Sequence, residues 1–179
     1  MKKTVLTYGL ISGAIVSGLM GITVALSASN PDFSHSYLLG YTTMLLAFSM
    51  IFLGVKKLRD KDNGGIVSFG RAFRVGCYIA LIASTMYVIV WAIEYNFIYP
   101  DFMEKYSVRM VNDLKAAGAP QVKIDAKLKE MASMREWYKN PFFFTLITYA
   151  EILPLGVMVS LVCALILKRG HKRESSVSL

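Results

Sequence analysis

Two carboxylates, Glu94 and Glu151, stand inside apolar stretches long enough to cross a bilayer, and they are the residues of this chain best suited to chemistry. Glu151 falls within residues 142–167, which hold no other charge before Lys168 and Arg169; Pro154 follows it in the same stretch. A charge at the bilayer centre costs about 2.5–3.5 kcal/mol on insertion scales, and acids kept there often mark proton or cation paths. At 1.5 Å per residue, Glu94 lies about 9 Å below Pro100 and Glu151 about 15 Å below Pro141, from the same side. No Lys or Arg reaches that depth, so Glu151 is expected to be substantially protonated at neutral pH. Its candidate hydrogen-bond partners are Thr148, Tyr149 and Tyr87, with the Ala150 carbonyl that Pro154 leaves without its helical donor. Two roles fit: a buried, hydrogen-bonded acid that fixes helix register, or a proton or cation relay.

Other chemistry is excluded by residue type. The two histidines, His35 and His171, lie in a turn and in the tail. No span therefore offers a haem ligand or a histidine-based zinc site, and no metal or cofactor is expected. No Ser-His-Asp set and no pair of aspartates falls in the apolar stretches, so the chain is not expected to be an enzyme. The Gly65–Gly70 spacing suits a phosphate loop, but Arg71-Ala72 replaces the Lys-Ser/Thr that the loop needs. Asp60-x-Asp62 opens like a calcium loop, but Gly64 and Arg71 occupy ligand positions. Cys77 and Cys163 lie about one turn inside the ends of the third and fourth stretches and are expected to be buried thiols.

The elements that position the carboxylates follow from composition. Of 179 residues, 55% are hydrophobic and 18% charged, against about 25% charged in a soluble domain. Spans of roughly 20 apolar residues fit at 5–28, 37–55, 75–98 and 142–167. The predicted fold is an all-α integral membrane protein, one four-span domain over 1–179, with an extracytoplasmic amphipathic helical hairpin at about 101–139 and a tail at 168–179. The formal charge of +8 would suggest nucleic acid in a soluble protein. Here the basic residues sit at span ends, and the partner expected is the bilayer.

Lys and Arg counts set sidedness. The N-terminus has Lys2 and Lys3, and the second connection has Lys56, Lys57, Arg59, Lys61, Arg71 and Arg74. The tail has Lys168, Arg169, Lys172 and Arg173, whereas the first connection, 29–36, has none. These counts agree on both termini and the second connection in the cytoplasm of an inner membrane. The third connection carries eight, alongside six carboxylates. Residues 1–30 resemble a signal peptide, but an apolar run of about 24 residues exceeds the 7–15 of a signal core. Gly9, Gly13, Ser17 and Gly21 also form a helix-packing stripe that a disposable leader does not need. The span is expected to be retained.

Small residues predict the packing faces elsewhere. Gly40, Ala47 and Gly54 recur every seventh residue in the second span, whose outer end carries Tyr37 and Tyr41. In the third, Gly76, Ala80, Ala83, Tyr87 and Val90 all fall within about 40° of Glu94 around the helix, which points Glu94 into the bundle. Trp91, Tyr95 and Tyr99 read as an aromatic belt at the membrane interface. In the fourth, Glu151 shares a face with Phe144, Leu155 and Met158, while Gly156, Ser160 and Ala164 lie opposite. An inward carboxylate would free the small stripe for another helix, including one from a second copy in a homo-oligomer. A kink at Pro154 would instead bring both faces inward.

Between the third and fourth spans, Phe102, Tyr106, Met110 and Leu114 form one amphipathic stripe, ended by Gly118 and Pro120. Ile124, Leu128, Met131, Trp137 and Tyr138 form a second. The pair either folds on itself or the bilayer, or offers a partner protein the adaptable contacts Met103, Met110, Met131 and Met134. Asn140-Pro141 reads as a cap and first turn for the last span.

Gly9-Leu-Ile-Ser-Gly13, Phe48-Ser-Met-Ile-Phe-Leu-Gly54, Gly65-Ile-Val-Ser-Phe-Gly70-Arg-Ala-Phe, Asn96-Phe-Ile-Tyr-Pro-Asp-Phe102 and Glu151-Ile-Leu-Pro-Leu-Gly156 occur in that order over nearly the full chain. In these the sequence resembles the bacterial family catalogued as domain of unknown function 4199. The resemblance implies a small multi-pass bacterial membrane protein, with no activity and no catalytic or ligand residues. The sequence reading is a non-enzymatic interaction or scaffold protein. Its alternative is a small proton- or cation-coupled transporter or channel subunit that uses Glu94 and Glu151.

Overall fold

The structure, a computed structural model, describes residues 1–29 and 37–169. The Asn30-Pro31-Asp32 turn, His35, and the tail residues His171, Lys172 and Arg173 lie outside them. Among the described residues six α-helices follow in order: α1 Lys2–Ser29, α2 Tyr37–Lys57, α3 Phe69–Ile93, α4 Phe102–Ala116, α5 Gln121–Lys139 and α6 Pro141–Leu167. Five-residue π-helical turns prolong α2 over Leu58–Asp62 and α3 over Glu94–Ile98. Four stretches are long and apolar enough to cross a membrane: Lys2–Leu26, Leu39–Asp62, Phe69–Ile98 and Pro141–Leu167. The protein is thus all-helical, with two shorter helices between its third and fourth candidate spans.

The described chain folds into two compact units, residues 1–87 with 151–169, and residues 88–150. The first holds most of the spans. Lipid gives helices no hydrophobic reason to associate, so close packing and interhelical hydrogen bonds must hold them. The centre is accordingly tight: Ala47, Phe48 and Ile51 of α2, Ile79, Ala80 and Ala83 of α3, and Ile152 and Ala164 of α6 all have zero exposure. Val16 of α1 joins them, and the buried Ser12 hydroxyl donates to the Ala47 carbonyl of α2 at 2.8 Å.

One end of this unit gathers three separate segments. The Thr4 hydroxyl donates to Asp62 Oδ2 at 3.1 Å, which ties the start of α1 to the end of α2. The Asn63-Gly64-Gly65 turn, with φ of +61° and +86° at its glycines, reverses the chain. Val67 then pairs with Arg169 through two backbone bonds, Val67 N–H to Arg169 O at 3.2 Å and Arg169 N–H to Val67 O at 2.9 Å. The starts of α1 and α3 and the ends of α2 and α6 therefore share one end.

In the second unit α4 and α5 fold against each other as a hairpin. Gly118, at φ +66°, makes the turn in a backbone region that costs other residues about 1–2 kcal/mol. Met103, Val111, Ile124 and Met131 are buried in the seam. The expected α4 stripe of Phe102, Tyr106, Met110 and Leu114 is half-buried, with the Phe102 ring set against Trp91 and Tyr106. Leu128 and Trp137, expected in the α5 stripe, are exposed. Rings then link the hairpin to the helix ends that hold it: Trp91 to Phe102 at 4.8 Å, Tyr95 to Tyr138 at 5.3 Å, and Tyr138 to Phe144 at 5.1 Å. Trp91 and Tyr95, expected in an interfacial belt, pack within this unit against these rings. Asn140 caps α6, its Oδ1 accepting from Phe142 N–H at 2.9 Å.

Candidate functional site

The rotation of α6 about its own axis decides what its carboxylate can do. Around this helix the residues are apolar on nearly every side, so polarity does not choose the inward face; size does. Gly156, Ser160 and Ala164 face the core. A Cβ built at Gly156 would stand 2.8 Å from Ala80 Cβ and 2.9 Å from Phe48 Cζ, and Gly76 of α3 lies as close to Ser160. Only hydrogen at these positions lets the backbones of α3 and α6 approach so closely. The buried Ser160 hydroxyl is satisfied within its own helix, donating to Gly156 O at 2.7 Å.

Glu151 is consequently on the other side, exposed, along with Pro154 and Met158. Of the two arrangements left open by the sequence, neither holds: the carboxylate does not point inward, and α6 runs unbroken through Pro154 without turning both faces to the core. The small stripe is used within the chain and is not free for another helix. Among the described residues no hydrogen bond or ion pair reaches Glu151. Thr148, expected as its partner, is buried and donates instead to Phe144 O at 2.8 Å, since a helical Thr readily bonds back to its preceding turn. Tyr87 is buried and Tyr149 half-buried; neither bonds Glu151.

Glu94 is placed differently. Along α3 the expected face is observed inside, with Gly76, Ala80, Ala83 and Tyr87 buried and Val90 half-buried. Glu94 is half-buried; its Oε2 is fully covered and has no hydrogen-bond partner. It also opens the π-helical turn, where its carbonyl accepts from Tyr99 N–H at 2.8 Å. The sequence reading missed this turn. A local signal existed in Asn96, whose side-chain amide donates to Ala92 O at 2.8 Å and competes with the regular ladder. Single π-helical turns inside α-helices recur at functional sites.

The packing stripe of α1 lies where small residues allow close contact. Gly9 abuts Ile82 and Gly13 abuts Met86. Ser17 is buried with its hydroxyl unbonded, and Gly21 is half-buried. On α2, Ala47 and Gly54 are buried, whereas nothing approaches Gly40. Cys77 and Cys163 are unpaired thiols. No group of three or more His, Cys, Asp or Glu able to hold a metal occurs among the described residues.

The profile of the family described as "Protein of unknown function (DUF4199)" matches residues 7–169. The chain belongs to the DUF4199 family. The match begins in α1 and ends at the Val67–Arg169 pairing, so it reaches both units and each of the four candidate spans of this DUF4199 protein, the first from residue 7. A search of curated proteins gives no match, and neither does a search of solved structures.

Proposed function

We propose that this DUF4199 protein is a non-enzymatic interaction or scaffold protein of a cytoplasmic membrane, with both termini inside and the α4–α5 hairpin outside. The observation that carries the reading is the filled centre of the first unit. Phe48, Ile51, Ile79 and Ile152 have no exposure there, and the mid-span carboxylate of that unit faces away from them. Helices packed in this way leave their outward faces for partners. Sidedness is supported by the end at which α1 starts and α6 finishes. It bears Lys2, Lys3, Lys56, Lys57, Arg59, Lys61, Arg71, Arg74, Lys168 and Arg169, and a clustered excess of Lys and Arg marks the cytoplasmic side.

The hairpin supplies the module for docking. Its methionines Met103 and Met131 are spent on its own seam, while Val122 (79% exposed) and Trp137 remain outside. Native gel electrophoresis of membranes tests this. The chain should migrate in an assembly larger than the purified protein, and Val122→Asp with Trp137→Asp should release it; migration at the purified size in both cases would refute the reading.

One observation favours the alternative, a proton- or cation-coupled transporter or channel subunit: the covered, unbonded Oε2 of Glu94 at the π-helical turn. Proton flux into vesicles holding the purified protein decides between them. Flux above that of empty vesicles, abolished by Glu94→Gln, would replace the scaffold reading.

A further inference from the structure

We propose that α6 forms a two-fold contact with α6 of a second copy of this chain, in which the two Glu151 carboxyls meet at the axis. The face concerned is Ile147, Glu151, Pro154, Met158, Leu161 and Leu165, spaced by alternating four and three residues as in a left-handed helix pair. Ile147 is half-buried and the other five are exposed, Met158 to 64%. A lipid-facing helix needs no acid, and hydrocarbon satisfies none of its hydrogen-bonding capacity. The same patch holds a second group in that position. Pro154 has no N–H, so within α6 the carbonyl of exposed Ala150 lacks its regular donor.

A second copy fits this patch for a reason of symmetry. Both copies enter the membrane the same way, so their α6 helices run parallel and the axis lies along the membrane normal. An isologous contact then sets each residue against its own counterpart at equal depth. A protonated carboxyl is both donor and acceptor, so in that form one Glu151 O–H would donate to the opposite carboxyl oxygen or to the opposite Ala150 carbonyl. No external cation is required. Among the described residues, no Lys or Arg stands at that depth to provide one. The contact also covers Met158, Leu161 and Leu165 with the same side chains of the partner copy.

The test uses the full-length chain reconstituted in vesicles, with a photo-crosslinking residue at position 158 or, as a control, at position 46. Leu46 is exposed to 60% on α2, away from this face. Position 158 should give covalent dimer at least tenfold more efficiently than position 46. In the position-158 chain, Glu151→Leu should reduce the yield about tenfold, and Glu151→Gln, which keeps a donor and an acceptor, should retain it. Equal yields at 158 and 46 would overturn the contact, and that comparison does not depend on any Glu151 variant folding. An unchanged yield with Glu151→Leu would overturn the role of the acid. In native membranes, a product with a different protein at position 158 and none between copies would also overturn it, in favour of a foreign helix. A monomer here leaves the hairpin reading intact, because the hairpin assay scores a different surface.

Discussion

Alanine at Gly18 should stabilise the protein and alanine at Gly156 should not, although both replace a helical glycine. At Gly18 of α1 an added methyl meets nothing within 4 Å. Only the backbone gain operates there, about 0.8–1 kcal/mol for Gly to Ala in a helix. At Gly156 the same gain is opposed by a Cβ placed 2.8 Å from Ala80 Cβ and 2.9 Å from Phe48 Cζ. Ala80 has no rotamer with which to retreat, and Phe48 is enclosed on every side. Overpacking of this kind costs about 1–3 kcal/mol, so Gly156→Ala should be neutral to about 2 kcal/mol destabilising. The two variants should differ by about 1–3 kcal/mol. Unfolding followed by tryptophan fluorescence and near-ultraviolet circular dichroism in one detergent measures both. Equal stabilisation by the two alanines would refute the argument, because it would mean that Gly156 does not lie in a helix contact.

Three further outcomes follow from single contacts. Ser12→Ala removes the α1–α2 bond to Ala47 O and should cost about 0.6 kcal/mol, at most about 1.7, as interhelical bonds in membranes do; the same unfolding assay reads it. Gly118→Ala forces a side chain into the φ +66° turn and should destabilise the hairpin by about 1–2 kcal/mol. Faster hydrogen exchange in α4 and α5, with the spans unchanged, would report that loss. Val67→Pro deletes the donor to Arg169 O, and faster exchange of the Arg169 amide, with no change in α4 and α5, is the expected sign.

The elements were legible in the sequence because each rests on many residues. Hydropathy summed over about 20 positions locates a span, and the Asn140-Pro141 and Gly118 signals are local stereochemistry that tertiary contacts did not override. The inward face of α3 was legible too, since its small residues and its carboxylate lie on one side. On α6 the two cues oppose one another. A single acid suggests that its own side is buried, and the Gly156, Ser160 and Ala164 row suggests the reverse. The row prevails because backbone approach is possible only there, whereas an exposed acid costs a few kcal/mol that another contact can offset. The ring contacts of Trp91 and Tyr95 with Phe102, Tyr138 and Phe144 were not legible, because they depend on how the hairpin and the start of α6 fold.

Disulfide mapping measures the orientation of α6 most directly. With Cys163 replaced, the native Cys77 of α3 is combined with Ser160→Cys in one chain and with Met158→Cys in another, and intramolecular closure is scored by mass. The 77–160 pair, whose side chains lie within hydrogen-bonding reach of each other, should close on mild oxidation, and the 77–158 pair should stay reduced or link only between copies. Closure of 77–158 with 160 left reactive would place Glu151 inside and the small residues outside, and would contradict this structure at its centre.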